Sequence, residues 1–199
     1  MDTYSPQISK LIKNFRKLPN VGAKTAEKMA FSILDMSEKD VESFAAALIA
    51  TKRELHYCPQ CQNWTNEDLC PVCSSDFRNK KTIMVVESPR DVVSFERSGA
   101  YNGVYHILHG LLSPKDRITI DDIKLRELIE RLKEDVDEVI LALSATYEGE
   151  ITSSTIKKLL ASTGIKITEL AQGVPIGSGI ENIDISTLEK ALNGRVNAS

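Results

Sequence analysis

Four thiols stand in two pairs, Cys58-Pro-Gln-Cys61 and Cys70-Pro-Val-Cys73, with eight residues between the pairs and no other cysteine in the chain. Two such turns closing on one centre supply four thiolates, the tetrahedral set that Zn2+ takes at about 2.3 Å. The spacing reads as metal rather than disulfide. The proline after Cys58 and after Cys70 stiffens each turn. Four protein ligands leave no position for water or substrate, so the cofactor expected is one structural Zn2+ per chain. The loop between the pairs has too few apolar groups to fold alone, and metal binding would drive its folding. His56 is either a substitute ligand or, on the simpler reading, a surface histidine. Trp64, the one tryptophan, is expected to cover the module's small core, with stacking on a DNA base as the alternative.

A second set of residues is cationic. Lys10, Lys13, Arg16, Lys17, Lys24 and Lys28 lie between Ile8 and Ala30 against a single acid, Glu27, in a chain whose net charge is -3. A balance of that kind excludes a protein that coats nucleic acid over its whole surface and leaves room for one local basic patch. The segment Leu18-Pro-Asn-Val-Gly-Ala-Lys-Thr-Ala26 joins two helices through a tight turn in which Gly22 opens the second. Such a turn points free backbone amides at a helix N-terminus, where a phosphate is favoured by donors and dipole together. Lys24 and Lys28 fall four apart on one face, close enough to straddle a strand backbone. The DNA-binding set is therefore Arg16, Lys17, Val21, Gly22, Lys24 and Lys28, reading phosphate and no base sequence. The competing readings are a solvated charged face and a turn used only for packing.

The elements that would position these groups follow from periodicity. Ile8, Leu11, Ile12 and Phe15 make one helical face. Ala26, Met29, Ala30, Ile33 and Leu34 make another, and Val41, Phe44, Ala45, Leu48, Ile49 and Leu55 a third, capped by Ser37-x-x-Asp40. Beyond the cysteines, apolar runs at Thr82–Glu87, Val104–Leu108, Glu138–Leu143 and Ile165–Glu169 alternate with helical patterns, two of them expected near 120–133 and 150–162. That alternation indicates a largely parallel sheet covered by helices, hence an α/β fold. The tail from Gly173 to Arg195 reads as loop and then a short helix opened by Ser186-x-x-Glu189. The N-terminal residues Met1–Gln7 carry no basic, apolar leader, and no stretch approaches the roughly 18 apolar residues of a membrane span, so a cytoplasmic protein without membrane contact is expected.

Taken in order, the hairpin Leu18-Pro-Asn-Val-Gly22, the cysteine set, Val85-Val-Glu-Ser-Pro-Arg-Asp91, Tyr101-Asn-Gly-Val-Tyr105, Leu112-Ser-Pro114, Tyr147-Glu-Gly-Glu150, and Gly173-Val-Pro-Ile-Gly177 with Thr187-Leu188 and Gly194-Arg195 resemble the RecR family of bacterial recombination mediators over nearly the whole chain. The departures are Asn20 where the hairpin usually has glycine, Lys115 and Arg117 where leucine and glycine are expected, and Ser178-Gly179 where glycine and an acid are usual. The resemblance implies a helix-hairpin-helix DNA-binding region over 1–56, a four-cysteine zinc module over 57–80, a Toprim-like α/β domain over 81–170, and a C-terminal Walker-B-like segment over 171–199 that serves as a subunit contact.

Toprim active sites use an acid after the first strand and an Asp-x-Asp pair before Glu-Gly-Glu, because carboxylates must hold divalent metal against the developing charge. Here Glu87 and Glu148-Gly-Glu150 are kept, but Ser144 and Thr146 occupy the Asp-x-Asp positions. The resemblance therefore implies no catalysis. It implies instead that Glu87, Glu148 and Glu150 face the partner RecO, and that the protein binds single- and double-stranded DNA. With RecO and RecF it would promote RecA loading, assembling as a dimer or ring-shaped tetramer in the nucleoid-associated cytoplasm. No Gly-Lys-Ser/Thr phosphate loop is present in the tail, so ATP hydrolysis is not expected.

Overall fold

A computed structural model describes residues 4–195. The readings of the leader region and of the chain's last residues fall partly outside the described residues. The chain forms two compact units, Met1–Leu55 and His56–Ser199.

In the first unit, α1 (Pro6–Phe15) begins at Ser5, whose side chain accepts from the amide of Ile8. It is followed by α2 (Ala23–Asp35) and α3 (Glu38–Glu54). The chain reverses between α1 and α2 through Asn20, at φ 64°. Asparagine tolerates this left-handed conformation, which is why the hairpin forms without the usual glycine. Ala26 and Ala30 of α2 are buried, and their small side chains let α1 approach. Ser37 caps α3 by accepting from the amide of Asp40 at 3.2 Å. The third apolar stripe does not close a core. No residue of α3 is buried, and Phe44, Leu48 and Ile49 are exposed. The helix forms as its periodicity requires, while the partner its face needs is not supplied by the described residues.

The second unit opens with a two-strand hairpin, β1 (His56–Tyr57) and β2 (Trp64–Thr65), and the single turn α4 (Pro71–Ser74). Then follow β3 (Asn79–Val86), α5 (Pro89–Ser98), β4 (Gly103–Ile107), α6 (Leu125–Arg131), β5 (Glu138–Ala142), α7 (Tyr147–Leu160), β6 (Lys166–Glu169), a 3-10 turn at Ile180–Asn182 and α8 (Ile185–Asn193). The strands pair in the order β4-β3-β5-β6, all parallel. Alternate residues of β3 serve opposite faces, as the two-residue strand period requires. Ile83 and Val85 join Val139, Leu141, Leu125, Leu128 and Ile156 in one core, while Met84 and Val86 join Tyr105, Ile107 and the four cysteines in the other. The edge strand β4 is closed off from further pairing. The amide of Ile107 donates to the Cys61 carbonyl at 2.9 Å, and Arg131 donates to the Tyr105 carbonyl at 2.6 Å.

Three helix boundaries differ from the periodicity. The helix expected over 120–133 starts only at Leu125, because the Asp122 carboxylate accepts from both the amide and the hydroxyl of Thr119 and closes a local turn there. The helix expected over 150–162 runs instead from Tyr147 to Leu160, since the Thr146 side chain caps it at the Gly149 amide. The last helix is capped by Asp184, which accepts from the Thr187 amide at 2.9 Å, rather than opened by Ser186.

The departure at Arg117 has a backbone cost. Ser113 and Ile118 exchange amide–carbonyl bonds around a tight loop, and Arg117 ends that loop at φ 58°. A non-glycine residue held left-handed costs roughly 1–2 kcal/mol, of which glycine's extra freedom in the unfolded chain returns part. Arg117→Gly is therefore expected to stabilise the protein by about 0.5–1 kcal/mol, measured by denaturant titration. An unchanged or lower midpoint would show that the loop is not strained.

Candidate functional site

The two cysteine turns meet where the β1–β2 hairpin and α4 pack on the sheet. The four sulfur atoms lie within 4.8 Å of one another and all four residues are buried. Cys61 Sγ and Cys70 Sγ are 3.4 Å apart, near the spacing of about 3.8 Å that tetrahedral bonds of about 2.3 Å would set. The Asn63 amide points at Cys61 Sγ and the Cys70 amide at Cys58 Sγ, donors suited to thiolates. Without a cation such a cluster ionises unevenly. The sulfur–sulfur hydrogen bond between Cys61 and Cys70 pushes the Cys61 thiol far above the ordinary range and holds Cys70 far below it. A divalent ion reverses that logic and takes all four as thiolates. The donor set fits a structural zinc, held by Cys58, Cys61, Cys70 and Cys73. His56 is exposed in β1 and is outside the ligand group.

The cysteine turns also hold what lies beside them. The knuckle carbonyls of Cys61 and Gln62 accept from the Ile107 amide and from His109 Nε2, the latter at 2.6 Å, so the metal module is bolted to the end of β4. Next to it His106 is fully buried, and desolvation lowers its pKa to about 4. Its neutral ring gives Nε2–H to the Lys124 carbonyl at 2.8 Å. Trp64 does not line the module's core. It is 45% exposed and stacks on Tyr57 at 4.2 Å, with His109 edge-on at 5.9 Å.

The hairpin brings Gly22 to the N-cap of α2 with no side chain to bond the first amides. Its φ is -74°, open to any residue, and a Cβ built there meets nothing within 4 Å. Neither conformation nor packing within the described residues requires glycine at this position. Arg16, Lys17, Lys24 and Lys28 are all exposed around the turn, and Val21 is half-buried beneath it.

At the sheet's C-terminal edge, Glu87 follows β3 and Ser144 follows the adjacent β5. Their side chains meet, the Ser144 hydroxyl donating to Glu87 Oε2 at 2.6 Å. The chain leaves β3 for β4 on one side and returns to β5 on the other, so this is the crevice where α/β sheets present ligands. The two neutral oxygens that replace the carboxylates have local work: Ser144 holds Glu87, and Thr146 caps α7. Among the described residues the only acidic, histidine or cysteine group gathered closely enough for a metal is the cysteine cluster, so Glu87, Glu148 and Glu150 do not form one. Gly149 is fixed by contact, since a Cβ there would stand 1.9 Å from the Ser144 carbonyl oxygen. Glu150 is paired with Lys190 of α8 at 3.1 Å, both groups well exposed, an interaction worth roughly 0–1 kcal/mol.

Two further constellations carry no sequence signal. Arg78 pairs with Glu96, which also accepts from the Tyr105 hydroxyl at 2.7 Å, tying the exit of the zinc module to α5 and β4. Thr152 accepts from the Leu112 amide and donates to the Glu148 carbonyl, tying α7 to the loop after β4.

Comparison with known proteins matches four family models in chain order: the RecR helix-hairpin-helix over residues 8–52, the RecR zinc finger domain with its four cysteines over 55–75, the Toprim domain over 81–171 and the RecR C-terminal region over 173–196. The recombination protein RecR of Lactobacillus acidophilus is 47% identical over 194 residues, covering 96% of this chain and 98% of that protein. Recombination protein RecR of Latilactobacillus sakei is 49% identical over 193 residues, with the same coverage.

Proposed function

The chain belongs to the RecR family of recombination proteins, and from that premise we propose that it is a recombination mediator in DNA repair that holds DNA and partner proteins and breaks no bond. Arg16, Lys17, Val21, Gly22, Lys24 and Lys28 receive the phosphate backbone of single- or double-stranded DNA without reading bases. Glu87, Glu148 and Glu150 receive RecO. With RecO and RecF the protein promotes RecA loading onto single-stranded DNA at gaps and breaks. It works as a dimer or ring-shaped tetramer, which multiplies the few contacts one hairpin can make. The exposed apolar face of α3 supports that self-association. The chemistry supports a mediator over an enzyme, because serine and threonine cannot replace the two carboxylates that hold hard cations in Toprim catalysis. Its place of work is the nucleoid-associated cytoplasm; no helix among the described residues is long and apolar enough to cross a membrane.

The observation that carries the DNA reading is Gly22, an uncapped helix start with open space in front of it and lysines beside it. Gly22→Ser separates the fold from the function. Serine is at least as good a cap, gaining a few tenths of a kcal/mol, while its hydroxyl takes an amide that the phosphate needs. Thermal melting is expected to hold or rise as DNA affinity, read by fluorescence anisotropy, falls about tenfold. Undiminished affinity would move the DNA site off the hairpin.

A further inference from the structure

Trp64 is the chain's one tryptophan, and the buried core around the cysteines does not include it. Tryptophan is highly buried on average in folded proteins, yet nearly half of this residue is open to solvent. Its place is nonetheless well defined. Trp64 pairs with Tyr57 across the β1–β2 hairpin, and beside them the Cys58 amide donates to the Asn63 carbonyl at 2.7 Å. The two rings stack at 4.2 Å with 33° between their planes. The His109 ring lies 4.7 Å from Tyr57 and is anchored through its Nε2 bond to the Gln62 carbonyl. Lys124 Nζ stands over the Tyr57 ring at 5.1 Å and pairs with Glu127 at 2.7 Å. Tyr57 thus has an indole, an imidazole and an ammonium around it, while Trp64 ends the stack. The chemistry of that last ring narrows its ligand. A second cation is disfavoured because Lys124 already serves the stack, and Lys124 is itself matched by Glu127, so little net charge is offered to an anion. What fits is a flat, neutral π surface that is not already stacked, which describes an unpaired nucleobase and not a base inside a duplex.

We propose that Trp64, braced by Tyr57 and His109, is a stacking platform for one unpaired base of single-stranded DNA. The inference rests on the DNA reading above and adds a preference for single strands, which phosphate contacts at the hairpin do not supply because both kinds of DNA carry phosphates. Stacking is tolerant of base identity, so the platform reads no sequence. The rings are already assembled before DNA arrives, which spares the ordering cost of gathering them.

The test uses the full zinc-loaded chain with three ligands: oligo-dT, an abasic strand with the same number of phosphates, and a blunt duplex. Because the chain has one tryptophan, its indole fluorescence reports on this ring alone. Oligo-dT is expected to quench it and the abasic strand to leave it unchanged. In anisotropy titrations with fluorescein-labelled strands, wild type is expected to bind oligo-dT about tenfold more tightly than the abasic strand, within the range that one stacked base contributes. Trp64→Ala is expected to lose that advantage with the slope of log affinity against log salt unchanged, since no charge is removed, and to bind the abasic strand and the duplex like wild type. Trp64→Phe, which keeps a ring, is expected to retain most of it. Zinc content is measured in each variant; should Trp64→Ala lose its metal, the wild-type contrast between oligo-dT and the abasic strand decides without it. Equal wild-type affinity for those two strands overturns the proposal. So does a Trp64→Ala variant with its zinc intact that weakens on all three ligands alike, or an indole that responds to RecO and not to oligo-dT, which would give the ring to a protein. Lys24→Gln with Lys28→Gln is measured alongside. If that variant weakens on all three ligands while wild type does not tell oligo-dT from the abasic strand, this inference alone fails; if it weakens on none, the hairpin reading fails.

Discussion

Removing the zinc, by chelation or by Cys70→Ser, is expected to unfold the metal module and lower the melting temperature of the second unit by more than roughly 10 °C. Zinc binding in small modules contributes roughly 10–16 kcal/mol, as much as the whole roughly 5–15 kcal/mol stability of a typical protein. At about 2–4 °C per kcal/mol, even partial loss of that contribution gives a shift of this size. The damage should not stop at the loop. The four sulfurs share a core with Met84, Val86, Tyr105 and Ile107, and the Cys61 carbonyl closes the edge of β4. Metal release followed with a colorimetric chelator, recorded together with circular dichroism, checks this. A stripped protein that melts with the loaded one, or fresh protein holding well below one equivalent of zinc, would contradict it.

Reversing both hairpin charges, Lys24→Glu with Lys28→Glu, is expected to weaken DNA binding on the order of a hundredfold at low salt with the fold intact. Each lysine–phosphate contact is worth roughly 1.5 kcal/mol or more, about tenfold, and the two act on one backbone. Both side chains are exposed and neither takes part in an ion pair among the described residues, so the substitution costs the helix little. The loss should be the same on unrelated sequences, because phosphate contacts carry no base information. Wild-type affinity in this variant, with helical content preserved, would place the DNA elsewhere.

Much of this is readable from residue types and spacing. The paired cysteines announce one metal because their spacing leaves few other geometries, and Asn20 fits the hairpin because it is among the few residues that accept a left-handed turn. The alternation of apolar runs and helical patterns leads to the parallel sheet, since the apolar stretches of β3 and β4 are buried on both faces. What escapes depends on contacts between distant residues. The late start of α6 goes with a local turn that the Asp122 carboxylate closes on Thr119 ahead of the helix. Lys190 reaching Glu150, and Arg78 joining Glu96 and Tyr105, have no period along the chain that could reveal them. Trp64 departs from expectation for a related reason: the core of the metal module is built from the sheet beneath it, which leaves the tryptophan outside on Tyr57. The apolar stripe of α3 is real, but periodicity says only that a face needs covering and not which molecule covers it.

The claim that DNA and a partner protein are held by different residues of the chain, without chemistry, is tested most directly by sequential capture on immobilised single-stranded DNA in the presence of Mg2+. The protein is bound first and RecO added second, for the wild type and for a variant with Glu87, Glu148 and Glu150 all changed to Gln. Both are expected to load onto DNA about equally, RecO to add mass only over the wild type, and the immobilised strand to be intact afterwards. RecO adding equally to the variant, or Mg2+-dependent loss of the strand that Glu87→Gln alone prevents, would contradict it.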